Sequence, residues 1–246
     1  MSSVERPRRM KTIGILGGMS DQATAEYYRM INGAVNERLG GWDIAETLIQ
    51  GVNFGNIEHF IRQGLWEDAG EYLAEKAQGA ERGGADVLIC ASNTLHRVSD
   101  RFMAGLRIPF IHIADAAGAA IRAKGLTRVG LLGTGPVMSA PYFPDYYREK
   151  HGLEVVVPDE EGRRRVDRII FEELVRRVLT AESKAFFLET CARLREAGAE
   201  GVILGCTEIF LLIGQDDLPG FPVFDTAALH VKAVVDFVLG SYPATA

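Results

Sequence analysis

The stretch Gly84-Ala85-Asp86-Val87-Leu88-Ile89-Cys90-Ala91-Ser92 is echoed later in the chain by Gly198-Ala199-Glu200-Gly201-Val202-Ile203-Leu204-Gly205-Cys206, with residue 92 falling on residue 206, 114 positions on. Each copy is a short apolar run behind a Gly-Ala-acid turn, which reads as a buried strand of a parallel sheet. Two further blocks repeat in the same order. Ile13-Gly14-Ile15-Leu16-Gly17 matches Val129-Gly130-Leu131-Leu132-Gly133, and Pro109-Phe110-Ile111 matches Pro222-Val223-Phe224. Ordered blocks at nearly one offset indicate a duplicated unit.

Around these blocks, strand-like runs alternate with amphipathic stretches. Strands are expected at Thr12–Gly17, Thr47–Val52, Asp86–Cys90, Arg107–Ile113, Arg128–Leu132, Leu153–Val157, Gly201–Leu204 and Phe221–Phe224. Helical patterns are expected at Thr24–Arg38, Trp66–Arg82, Ala116–Ala123, Val166–Val178 and Ala181–Ala197, with a helical linker over Ala114–Thr127. The reading is an α/β fold of two pseudosymmetric lobes, each a mainly parallel sheet flanked by helices, with the active site in the cleft between them. Residues 10–112 with 225–246 form the first lobe and 113–224 the second; residues 1–9 are expected to be disordered. Such sheets bind ligands at the carboxyl ends of their strands, so two facing lobes would enclose a cleft and move as hinged bodies.

Composition narrows the function classes. With 246 residues, 47% apolar and 24% charged, the chain has the make-up of a globular protein, and its 27 glycines exceed the usual ~7%. Its 33 acids and 27 bases, net −6, are interleaved and form no basic stripe for nucleic acid. No apolar run approaches a membrane span, and the start lacks a signal-peptide core, so a cytoplasmic location is expected. Three cysteines without C-x-x-C spacing suggest neither disulfides nor zinc, and the five histidines have no metal-ligand spacing. Walker-type, dinucleotide-type and nucleophile-elbow signatures are absent from the sequence.

Two polar clusters remain, each directly after an apolar strand: Cys90-Ala91-Ser92-Asn93-Thr94-Leu95-His96 and Gly205-Cys206-Thr207-Glu208-Ile209. If Cys206 opens a helix, the helix dipole would lend it thiolate character and make it a base or nucleophile. Cys90, whose repeat partner is Leu204, and Cys191, inside a helical pattern, read as packing. The glycine-rich turns, with Asn93, Thr94, Thr134 and Thr207, would cradle a small anion. Asn53 after the second strand is a further pocket candidate. Arg163, Arg164, Arg165, Arg176 and Arg177 are candidates for a distal carboxylate, although a solvated helix face explains most of them.

Over Met10–Gly240 the chain resembles the aspartate/glutamate racemase family, most closely its amino-acid racemase branch. The resemblance is carried by Ile13-Gly14-Ile15-Leu16-Gly17-Gly18-Met19-Ser20 with Ala25-Glu26-Tyr27-Tyr28, by Asn93-Thr94-Leu95-His96, Gly130-Leu131-Leu132-Gly133-Thr134, Gly205-Cys206-Thr207-Glu208-Ile209 and Phe224-Asp225-Thr226. It implies cofactor-independent inversion of an amino acid's α-carbon by two bases, usually one cysteine per lobe. Here the second is Cys206, but the first position holds Ser92. A thiol titrates near ~8.5 and is within reach of activation; a serine hydroxyl is a far weaker acid. The expectation is therefore a racemase or epimerase of an acidic or related amino acid, biased towards L-substrates, with Cys206 as base and Ser92 as partner. Met19, Asn53, Asn93, Thr94, Thr134, Thr207 and Glu208 are expected to bind substrate, with no metal and no cofactor. Asp21-Gln22-Ala23 after Ser20, and Val137 after Thr134, also depart from the family pattern. The alternatives are a single-cysteine lyase that decarboxylates a malonate-like acid, or a non-catalytic binder of a small acid. A homodimer is permitted; neither nucleic acid nor membrane is expected as a partner.

Overall fold

A computed structural model describes residues 10–240; the expectation about residues 1–9 lies outside them. In chain order the elements of the first half are β1 (Ile13–Gly17), α1 (Asp21–Leu39), β2 (Thr47–Gly51), α2 (Phe54–Gln63), α3 (Trp66–Arg82), β3 (Val87–Cys90), α4 (Ser99–Phe102) and α5 (Ile113–Ala123). The second half adds β4 (Arg128–Gly133), α6 (Gly135–Ser139), α7 (Tyr142–His151), β5 (Glu154–Val156), α8 (Glu160–Glu172), α9 (Ala181–Glu196), β6 (Val202–Gly205), β7 (Val223–Asp225) and α10 (Thr226–Leu239). Two parallel sheets result, ordered β2-β1-β3 and β5-β4-β6-β7.

The repeat seen in the sequence is a repeat in register. Gly14 lies opposite Leu88 in one sheet, and Gly130 lies opposite Val202 in the other. Helix packing requires both glycines. A Cβ on Gly14 would stand 3.3 Å from the Ala80 Cβ of α3, and one on Gly130 would stand 2.9 Å from Leu194 Cδ1 of α9. The central strands are buried on both faces, as their unbroken apolar runs require.

One expected strand is reduced to a single bridge. Arg107–Ile113 pairs with β3 only where Phe110 meets Leu88. Glu81 takes the N–H groups of Arg107 and Ile108 at 2.7 and 3.2 Å. Pro109 has no N–H to give, and Ile113 N–H is given to His96 Nε2 at 3.2 Å. The ladder thus keeps only the bonds that flank Phe110, Leu88 N–H to Pro109 O at 2.9 Å and Ile111 N–H to Leu88 O at 3.1 Å, and loses its donors beyond them. The helix expected from Val166 starts earlier, at Glu160, because Asp159 caps it by accepting from Gly162 N–H and two glutamates occupy its first turn. It ends earlier too, at Glu172, and a 3₁₀ turn carries the chain to Arg177, whose φ is +56°.

Two helices cross between the lobes. Helix α10 follows the last strand of the second sheet, yet its Val231, Val234, Val235 and Val238 pack with Tyr27, Ile31 and Val35 of α1 over the first. Helix α5 follows the first half and packs Ala117 and Ile121 against Val129, Leu131 and Phe224. No helix of the described residues is long and apolar enough to cross a membrane.

Candidate active site

Four segments leave the carboxyl ends of β1, β3, β4 and β6 and converge on one narrow cleft of about 40 Å³. From the first lobe come Met19 and Ser20 after β1 and Ser92, Asn93 and Thr94 after β3. From the second come Thr134 after β4 and Cys206, Thr207 and Glu208 after β6. Ser92 and Cys206, equivalent in the repeat, thus line the same space from opposite lobes.

Glu208 is the hub. Its buried carboxylate accepts from Cys206 Sγ at 3.1 Å, from Thr207 Oγ1 at 2.8 Å and, across the lobes, from Ser20 Oγ at 2.8 Å. Ser20 holds its place as the cap of α1, accepting from Ala23 N–H at 3.2 Å. A second inter-lobe contact joins the hydroxyls of Thr94 and Thr134 at 3.0 Å. Asn93 Nδ2 donates to Thr226 Oγ1 at 3.1 Å, and that hydroxyl donates to Leu204 O at 2.7 Å, tying the Ser92 loop to the strand that carries Cys206. Ser92 Oγ has no hydrogen-bond partner among the described residues and is left to the cleft.

The electrostatics of Cys206 differ from the sequence expectation. The segment after it is a 3₁₀ turn, Ile209–Leu211, rather than an α-helix, so no helix dipole favours a thiolate. Burial, reinforced by the negative charge of Glu208, pushes the thiol well above its ordinary value. Cys206 is thus a neutral thiol that donates to Glu208. Cys90 and Cys191 are buried in the core, and desolvation raises both to about 12. Among the described residues no group of three or more His, Cys, Asp or Glu side chains is placed to hold a metal ion.

Behind the Ser92 loop lies a buried imidazole cluster that the sequence left as scattered histidines. Ile113 N–H donates to His96 Nε2, so neutral His96 carries its proton on Nδ1 and gives it to Ser92 O at 2.7 Å. Ala114 N–H donates to His112 Nδ1, leaving His112 Nε2–H for Tyr142 Oη at 3.0 Å; Tyr142 in turn donates to His96 O at 2.8 Å. His230 Nε2–H donates to Ile111 O and its Nδ1 accepts from Tyr27. Burial holds His96 far below its ordinary value, His112 at about 3 and His230 at about 4. The cluster thus shapes the backbone of the Ser92 loop without charge.

Of the expected substrate-binding residues, Asn53 is placed elsewhere: it is exposed, and its side chain caps α2 by accepting from Gly55 N–H at 3.1 Å. The arginines also lie off the cleft. Arg164 pairs with Glu160; Arg165 meets Glu182 and covers the Phe186 ring; Arg177 lines an adjoining hollow with Gln22, Glu26, Thr207 and Glu208. Sequence reading missed the apolar wall of the cleft, contributed by α2 and by the end of α8. Its signal was the spacing of Phe54, Ile57 and Ile61 along one helical face.

Fold and site together define a two-lobed parallel α/β protein with a thiol and a hydroxyl facing one inter-lobe cleft. The chain belongs to the Asp/Glu/hydantoin racemase family, whose sequence profile matches residues 16–234. Among solved structures it is similar to an Asp/Glu-racemase-type protein from Yersinia pestis, at 39% identity and TM-score 0.87 over 94% of this chain and 100% of that one. An aspartate racemase homologue from Pyrococcus horikoshii OT3 matches at 35% identity and TM-score 0.81, over 93% and 99% of the two chains. A glutamate racemase from Francisella tularensis, in complex with D-glutamate, shares the fold at 15% identity and TM-score 0.65, over 94% and 81%.

Proposed function

We propose that the protein is an amino-acid racemase that inverts the α-carbon without a cofactor, with Cys206 as the base on one face and Ser92 as the proton donor on the other. The observation that carries this reading is the placement of these two residues, equivalent in the repeat, in one cleft from opposite lobes. In the sequence of events, the Cys206 thiol passes its proton to the Glu208 carboxylate, 3.1 Å away. The thiolate then takes the α-proton, leaving a carbanion stabilised by the substrate carboxylate; the Ser92 hydroxyl gives its proton to the opposite face, and the proton held on Glu208 returns through solvent to Ser92, which resets both groups. A bound α-ammonium brings the positive charge that favours the thiolate. Asn93, Thr94, Thr134 and Thr207 supply polar contacts to the carboxylate. Because the hydroxyl is the weaker acid–base group, α-proton exchange of the enantiomer that presents its proton to Cys206, the L-form, outpaces inversion, while kcat/KM for inversion is equal in the two directions because the enantiomers have equal free energy. The family match does not favour a decarboxylase or a non-catalytic binder.

Proton NMR in D2O, following α-proton loss and enantiomer composition together, tests the scheme. L-substrates should exchange faster than they invert, Cys206→Ala should abolish exchange, and Ser92→Cys should raise the ratio of inversion to exchange about tenfold or more. Undiminished exchange in Cys206→Ala would sink the assignment.

A further inference from the structure

The wall of the cleft opposite the polar loops is apolar. One face of α2 contributes Phe54, Ile57 and Ile61, and the end of α8 with the turn after it contributes Ile170, Phe171 and Val175. The two helices come from different lobes, so the wall is built from both sides. Its residues are buried or half-buried. No lysine or arginine lines the cleft among the described residues, and its one ionisable carboxyl side chain is Glu208.

We infer that the substrate's side chain is apolar, of the leucine or methionine kind, rather than the carboxylate that the family resemblance implies; this rests on the racemase reading above for the identity of the α-carbon chemistry. A distal carboxylate placed against Phe54, Ile57 and Ile170 would give up its water without a cation to replace it. It would also add a second negative charge to a cleft that already holds Glu208. Arg177 does not line the cleft; it lines an adjoining hollow that shares only Thr207 and Glu208 with it. An aliphatic side chain, by contrast, removes apolar wall from water and leaves the α-carboxylate and α-ammonium to the threonines, Asn93 and Glu208.

Binding and turnover separate this inference from the one beneath it. Titration calorimetry on the Cys206→Ala protein, which binds without turning over, should find L-leucine or L-methionine bound at least tenfold more tightly than L-aspartate or L-glutamate. In the D2O exchange assay the unsubstituted protein should show the same order in kcat/KM. Val175→Lys, at a half-buried position where the lysine stem can lie on the wall and its ammonium reach the mouth, should shift the L-glutamate to L-leucine ratio at least tenfold towards L-glutamate. Aspartate or glutamate bound as tightly as the apolar amino acids, or no binding of either kind, would overturn the inference. Preferential binding of apolar amino acids without α-proton exchange would support the apolar pocket and remove the racemase reading instead.

Discussion

Replacing Glu208 by Gln separates two roles that the carboxylate combines. The substitution keeps the shape of the hub. An amide oxygen in the place of Oε2 still accepts from Cys206 and Thr207, and the amide nitrogen faces Ser20 Oγ, which retains a lone pair. Three hydrogen bonds lose their charge assistance, so stability should fall by about 2 kcal/mol, taking charged and neutral bonds to differ by somewhat under ~1 kcal/mol each. With the neighbouring negative charge gone, the thiol of Cys206 titrates lower than before. If thiolate population alone set the rate, exchange would rise. If Glu208 is the acceptor of the thiol proton, exchange should instead fall by 10²–10⁴, or about 3–5 kcal/mol in the barrier. Alkylation by iodoacetamide as a function of pH reads the thiol, since Cys90 and Cys191 are fully buried; D2O exchange reads the chemistry. An unchanged or faster exchange rate beside a lowered thiol titration would refute the proton-acceptor role.

The imidazole cluster makes the fold acid-sensitive. His112 and His230 are neutral when folded but protonate near ~6.5 when unfolded, so their contribution is present above that value and is lost as pH falls towards about 3 and 4. At pH 5 this amounts to about 2 kcal/mol for each, with His96 acting in the same direction. Denaturant titrations at pH 7.5 and pH 5 should differ accordingly, and equal midpoints would contradict the buried, neutral assignment. Gly18 has φ +90°, and a Cβ there would lie 2.4 Å from Val52 O. Gly18→Ala should therefore cost at least ~2 kcal/mol and displace the Met19–Ser20 arm of the cleft; a denaturation midpoint equal to that of the unsubstituted protein would disprove the tight approach.

Much of the site was legible because strand ends in a parallel sheet are local events. The apolar runs of β3 and β6 end at fixed points in the chain, and the residues just beyond them, Ser92 to Thr94 and Cys206 to Glu208, are delivered to the carboxyl edge by the strands themselves. Helix α3 is also local: its apolar spacing reproduced Trp66–Arg82 residue for residue. Arg107–Ile113 was misread because the donors that desert its ladder go to Glu81 and His96, partners 17 to 27 residues away. Asn53 was misread because an Asn after a strand serves a helix cap as readily as a ligand.

The amino-acid sequence by itself determined the duplication, the parallel α/β class and the two polar clusters, because these depend on apolar periodicity and on short turns. Only the tertiary structure decided the protonation of Cys206, the neutrality and tautomers of His96, His112 and His230, and the character of the substrate wall. Each depends on burial and on partners distant in the chain: Ser20 reaches Glu208 across 188 residues, Tyr27 reaches His230 across 203, and α2 and the end of α8 line one cleft. Desolvation and charge proximity act through space, and the chain's order does not record them.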